Sequence, residues 1–259
     1  MYKYIDIGLN LFSEQFAGRE DETVRRAAEK EVGIIITGSS ERSSRRASEY
    51  VQGREGIYAT AGVHPHDAKS WNDTTAGKLR KMLKSSANMV AVGECGLDYD
   101  RMFSPKEKQL YVFEEQIKLA EELELPLFLH EREATEDFAD ILGKHRDICK
   151  RAVVHCFTGS KAAALKYLKL GCMIGITGWV CDDRRNQQLL DALDIIPPER
   201  LMAETDGPYL LPRGIKGLKN PNVSENIVYV VGKLADVKGM DEEELRRILL
   251  SNTRSFFGV

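Results

Sequence analysis

The sequence predicts a single (β/α)8 barrel over residues 1–259, on three observations. Eight short β-branched or apolar runs alternate with helical stretches about every 30 residues along the chain. Parallel strands need crossover helices, so this alternation argues for a parallel sheet. Eight such units in 259 residues suit a closed barrel better than an open sheet. The open, doubly wound alternative calls for a glycine-rich turn after an early strand. Neither GxGxxG nor GxxxxGK followed by Ser or Thr occurs.

The first run, YKYIDIGLN, reads as a short buried strand, and alternation puts Asp6, Gly8 and Asn10 on one face of it. VGIIITG is the second strand, and GIYATAGVHPH, the third, ends in His64 and His66. MVAVGECGLDY carries Glu94 at its end. A helix is expected after it from Ser104-Pro105, an N-cap followed by proline at the first helical position. Leu110, Phe113, Ile117 and Ala120 share one face of that helix. LPLFLHE ends in His130 and RAVVHCFTG contains His155. CMIGITGWV and RLMAETDGPYL complete the set, the last bearing Glu204 and Asp206. From Met240 onward, Asp241 and Glu244 stand at capping-box spacing, and Leu245, Ile248 and Leu249 form a helical stripe. This segment reads as the closing helix of the same domain.

Bulk properties narrow the function classes. A net charge of −3 argues against a protein that coats nucleic acid. It leaves room for an enzyme that holds one end of a strand through a metal and a local basic patch. The five cysteines form no CxxC pair, so neither a disulfide framework nor a thiolate zinc site is expected. The N-terminus shows no basic segment followed by an apolar core. No apolar run approaches the roughly 20 residues a spanning helix needs. A cytoplasmic protein without a membrane partner is the expectation, and a monomer.

Active sites of such barrels lie at the C-terminal ends of the strands. The chemically capable residues concentrate there: His64, His66, Glu94, His130, His155, Glu204 and Asp206. Of five histidines, only His145 falls elsewhere. A lone histidine at a strand end is more often a structural residue, but convergence on one barrel mouth favours a metal site. Neutral imidazole and carboxylate suit zinc, manganese, iron or magnesium. Cys95 and Cys156 follow two of these residues, and alternation turns them toward the helix layer.

The strings GVHPH, GECGLDY, LHERE, HCFTG, GITGWVCDDRR and ETDGPYL, in this order, resemble the TatD family of metal-dependent deoxyribonucleases, within the amidohydrolase-like TIM barrels. The resemblance runs over essentially the whole chain. It implies a 3′–5′ exonuclease acting on DNA ends, on RNA ends too, with a divalent ion. Magnesium is the ion implied first, with manganese or zinc as alternatives. By motif, Glu94, His130 and His155 look like the metal ligands, and Asp206 like the catalytic acidic residue. His64 looks like a phosphate contact, with His66 beside it. Most members carry His-x-His at the first strand end, where this chain has Gly8 and Asn10. That is the pattern of the TatD-proper branch. It leads to the expectation of one well-held metal, with Asn10 at most a weak contact on the substrate side.

Arg184 and Arg213, on loops after strands seven and eight, are candidate substrate contacts, with Arg185, Lys216 and Lys219 nearby in sequence. Trp179 and Tyr209 flank them and could stack on a terminal base. Two other readings stay open. One is an amidohydrolase-type barrel acting on an amide or ester. It would want a fuller two-metal centre, and no lysine stands at the end of the fourth or fifth run to bridge it. The other is a degenerate, non-catalytic barrel, against which the retained Glu94, His130, His155 and Asp206 argue.

Overall fold

The protein is described here by a computed structural model covering residues 2–259. Its eight strands follow chain order in one sheet, β1 to β8. They are β1 (Tyr4–Leu9), β2 (Val32–Ile36), β3 (Ile57–Ala61), β4 (Met89–Asp98), β5 (Leu127–Arg132), β6 (Ala152–Val154), β7 (Met173–Ile176) and β8 (Leu201–Ala203). Sequential order is that of a (β/α)8 barrel and excludes the doubly wound alternative, whose strand order reverses at a switch point. Each of the eight runs read from the sequence coincides with one strand, β5 running one residue past its run to Arg132.

The chain divides into two compact units. The first takes the chain up to Ile36, then Cys156–Leu168 and Ile174–Val259. Here β1 pairs in parallel with β2, and β7 with β8. Leu9, at the end of β1, bridges Gly207 just after β8. Ile34, Ile35 and Ile36 are all fully buried. A parallel strand covered on both faces has no polar side, hence the unbroken apolar run. Each such isoleucine contributes roughly 1.5–3 kcal/mol through burial. Asp6 is the exception inside β1. Its carboxylate accepts hydrogen bonds from Thr205 N (2.8 Å), Thr205 Oγ1 (2.5 Å), Ser224 Oγ (2.7 Å) and Gly8 N (3.3 Å). The closing helix, Glu242–Phe257, begins as the sequence indicates, with Asp241 Oδ1 accepting from Glu244 N at 3.0 Å.

The second unit takes Thr37–His155 and Lys169–Met173. In it β3 pairs with β4, β4 with β5 and β5 with β6, all parallel. The long helix Lys106–Leu123 starts one residue later than the Ser104-Pro105 pair suggests, with Pro105 as its N-cap and no cap from Ser104. Its hydroxyl donates to His66 O at 2.9 Å and accepts from Lys69 N at 3.0 Å. The loop bearing the third-strand histidines thus claims the serine that the helix was expected to use. The helix buries Phe113, Ile117 and Ala120 as the stripe implies, and with them two glutamines, Gln109 and Gln116. Gln116 accepts from Val63 N (2.7 Å) and donates to Val63 O (3.0 Å). Gln109 does the same for Asp98 N (2.8 Å) and O (3.0 Å). These amides satisfy backbone groups at and just beyond the strand ends that would otherwise be left bare.

Candidate metal centre

The second unit carries most of the unusual residues in one cluster, and β4 sets its geometry. All ten residues of β4 are buried, including Glu94 and Asp98. Its register against β5 slips between Gly93, opposite Phe128, and Cys95, opposite Leu129. Glu94 falls in that slip, its N–H turned to Gly38 O at 2.8 Å. A bulge of this kind re-aims a side chain that a regular ladder would hold in the pleat. Beyond it the alternation resumes, and Glu94, Gly96 and Asp98 share a face. Gly96 lies opposite His130 with φ at +142°, and a Cβ there would stand 1.9 Å from His130 O. Only glycine fits between the two acidic residues.

Three imidazoles surround one oxygen, Glu94 Oε1. His155 Nε2 lies at 2.8 Å, His130 Nδ1 at 3.2 Å and His64 Nε2 at 3.3 Å. Ligand atoms of His64, Glu94 and His130 all stand within 4.8 Å of one another. His130 also turns Nε2 to Asp98 Oδ2 at 3.3 Å, and His66 Nε2 meets the same oxygen at 2.7 Å. The five predicted residues of this region, His64, His66, Glu94, His130 and His155, are therefore brought together. Asp98 completes the group, and sequence reasoning missed it. Its signal was the even spacing from Glu94 within GECGLDY.

Hydrogen bonding fixes what each ring can do. His66 N–H donates to His64 Nδ1 at 3.0 Å, so in the neutral ring Nε2 carries the proton. Burial pushes the His64 pKa down to about 4, against the pull of Glu94, so the ring is neutral at pH 7. His64 thus faces Glu94 as an N–H donor. His130 differs: when charged it donates from Nδ1 to Glu94 and from Nε2 to Asp98, and loss of the Nδ1 proton leaves that lone pair for a cation while Nε2–H stays on Asp98. That is the carboxylate–histidine arrangement that commonly orients a metal ligand. Burial opposes charge on both carboxylates. Even so, the His64 and His155 rings, with hydrogen bonds from His130 and His155, hold Glu94 well below the usual carboxylate range. Hydrogen bonds from His130 and His66 do the same for Asp98. Burial also disfavours charge on His130, yet its bonds to Asp98 and Glu94 outweigh this and raise its pKa.

This donor set fits a divalent cation. Two buried carboxylates need positive charge nearby, and the hydrogen bonds that raise the His130 pKa act in that direction. One carboxylate oxygen has too few lone pairs to satisfy three converging imidazoles, whereas a cation among them takes nitrogen and oxygen lone pairs together.

The first unit holds the remaining predicted residues. Asn10 Nδ2 donates to Asp206 Oδ1 at 2.8 Å, a pair 196 positions apart in sequence. Asp206 has a positive φ of 52°, in the sparsely populated left-handed region that functional residues often occupy. Glu204 is fully buried and its Oε1 accepts from Cys156 N at 2.5 Å, a structural role. Arg184 and Arg213 converge on Asp182, with Arg185 between them in sequence. The distances to its carboxylate are 2.7 Å from Arg184 Nε, 2.9 Å from Arg185 Nε and 3.4 Å from Arg213 Nε. Three half-exposed guanidiniums around one buried carboxylate leave a net positive patch. Asp182 is a second residue the sequence reading passed over. The Arg185 guanidinium lies 3.8 Å over the Trp179 ring, and both line a pocket of about 370 Å³ with Arg213 and Leu210. Tyr209 is 51% exposed.

A family model described as TatD related DNase matches residues 5–258. A protein of Erwinia amylovora named 3′-5′ ssDNA/RNA exonuclease TatD is 44% identical, covering 98% of this chain and 99% of that one. One of the same name from Cronobacter sakazakii is 42% identical, with 97% of each chain covered. Among solved structures, a TatD homologue from Escherichia coli K12 superposes with a TM-score of 0.89 at 30% identity, covering 99% of this chain and 98% of that one. A phosphotriesterase homology protein from Escherichia coli, at 12% identity and a TM-score of 0.66, shares the fold alone.

Proposed function

Because the chain belongs to the TatD related DNase family, we propose that it is a divalent-metal-dependent 3′–5′ exonuclease of single-stranded DNA and of RNA ends. The observation that carries this reading is the convergence of three imidazoles on Glu94 Oε1. Glu94, His130 Nδ1 and His155 Nε2 are the proposed ligands. The ion proposed is magnesium, as the resemblance implies; the mixed imidazole and carboxylate set suits manganese and zinc as well. When bound, such an ion supplies Lewis-acid stabilisation of phosphodiester charge and acidifies a water.

The chain's own residues do the rest. His64, neutral and with its proton on Nε2, donates a hydrogen bond to a phosphate oxygen as negative charge grows there. His66 is proposed as a further substrate contact beside it, its Nε2 held by Asp98 Oδ2. Asp98 fixes the ring of His130 through Nε2. Asp206 accepts the proton of the attacking water, and the Asn10 amide holds its carboxylate in one rotamer. Asn10 thereby acts on the substrate side with its remaining amide oxygen. Arg184 and Arg213 bind backbone phosphates, with Asp182 setting the angle of both guanidiniums. The reading includes a monomeric cytoplasmic enzyme in which all 259 residues serve as one catalytic domain. Among the described residues, no helix is long and apolar enough to cross a membrane.

The test is single-stranded DNA labelled at the 3′ end, with magnesium, manganese or EDTA. Metal-dependent loss of the 3′ label, ahead of internal cutting, is expected. Ester or amide hydrolysis without any DNA cleavage would overturn the proposal in favour of the amidohydrolase reading.

A further inference from the structure

We propose that Phe103 is the stacking platform for the terminal nucleobase of the strand, a role that rests on the nuclease reading above. Phe103 lies in the loop after β4, and its ring meets His66 edge-on with centroids 4.8 Å apart. His66 in turn stands 4.3 Å from His64 and 6.2 Å from His130, ring to ring. The aromatic thus sits one ring away from the predicted phosphate contacts, within the reach of a single nucleotide.

Phe103 is 55% exposed and Met102 beside it 45% exposed, although the loop is held from several directions. Asp98 Oδ1 accepts from Asp100 N (3.0 Å) and Arg101 N (2.8 Å). Ser104, fully buried, ties the far side of the loop to His66 O, and Gln109 Nε2 donates to Ser104 O at 2.9 Å. Met102 takes a positive φ of 49°, which a residue with a side chain rarely adopts. A loop pinned this firmly keeps its phenylalanine out in solvent by construction. Asp100, Arg101 and Lys106 around it are exposed and charged, so the exposed apolar surface of Phe103 and Met102 is flanked by charge. A single flat ring beside a phosphate-binding cluster is what a nucleobase requires. Stacking of this kind tolerates any base, as an exonuclease that consumes a strand stepwise needs.

The experiment compares the wild-type enzyme, Phe103→Ala and Phe103→Trp on two single strands, one ending 3′ in a normal nucleotide and one in an abasic residue. On the normal strand Phe103→Ala is expected to raise KM by roughly 5- to 150-fold with kcat little changed, the range base–aromatic stacking implies. Phe103→Trp restores KM. On the abasic strand wild type and Phe103→Ala have equal KM. An equal loss on both strands, or a fall in kcat at constant KM, assigns Phe103 to propping His66 and overturns the proposal; so does no effect on either. Wild-type enzyme that shortens neither strand sinks the nuclease reading and this inference with it.

Discussion

The most consequential single residues are two acids with different proposed duties. Asp206 is assigned to proton transfer and Asp98 to orienting His130, and their variants separate. Asp206→Asn should lower kcat by roughly 10²- to 10⁴-fold, the worth of a positioned general base. Metal affinity by calorimetry should stay unchanged. Asp98→Asn should instead weaken metal affinity by roughly 10- to 100-fold, as loss of a carboxylate behind a ligating histidine does. If the two variants show the reverse pattern, the assignments exchange. The sequence made Glu94 and four histidines legible, because such residues are rare at the ends of apolar runs and stand out by type. Asp98 was not legible as a site residue. It lies inside the run MVAVGECGLDY, and only the pairing of β4 with β5 brings its carboxylate to His130.

At the scale of elements, β4 and the helix Lys106–Leu123 hold the site in place through close contacts that no periodicity reveals. Gly96→Ala places a Cβ 1.9 Å from His130 O at a φ of +142°. Denaturant unfolding should show a loss of at least about 3 kcal/mol, from backbone strain and displacement of β5. A loss under 1 kcal/mol would mean the two strands can part without harm. Gln116→Leu keeps the volume but strips Val63 of both hydrogen-bond partners. It should cost roughly 2–4 kcal/mol, since each bare buried backbone group costs about 1–3. Strand positions were legible because each run is short, rich in apolar residues and punctuated toward its end by Gly, His, Asp or another polar residue. The bulge at Glu94 and the buried glutamines were not. The first depends on pairing between two strands, and the second reverses the rule that polar positions on a helix face solvent.

At the scale of the molecule, the end of β1 is where the opening sequence pattern and the whole fold meet. Asp6 and Asn10 reach residues almost 200 positions away, Thr205 and Asp206, so their partners were invisible in the chain itself. Asp6 gives the fold a pH signature. Burial pushes its pKa up to about 6 from 3.8, against the hydrogen bonds of Thr205 and Ser224. The folded state therefore holds this proton more tightly than the unfolded chain does. The contribution is fully present below pH 4 and fades as pH rises through 6. It amounts to about 3 kcal/mol, at 1.36 kcal/mol per pKa unit. Asp6→Asn keeps an acceptor for the two backbone N–H groups and a donor for the two hydroxyls. It should fold and lose this component of the slope; an unchanged slope between pH 4 and 6.5 would remove Asp6 from the account.

The central claim is that the cluster around Glu94 is a metal centre built by Glu94, His130 and His155. Anomalous diffraction from crystals soaked in manganese tests it most directly. The account predicts a peak bonded to a Glu94 oxygen, His130 Nδ1 and His155 Nε2, with His64 Nε2 present as a hydrogen-bond donor and not as a ligand. A peak ligated by His64 in place of His155, or no peak in this cluster, would contradict it.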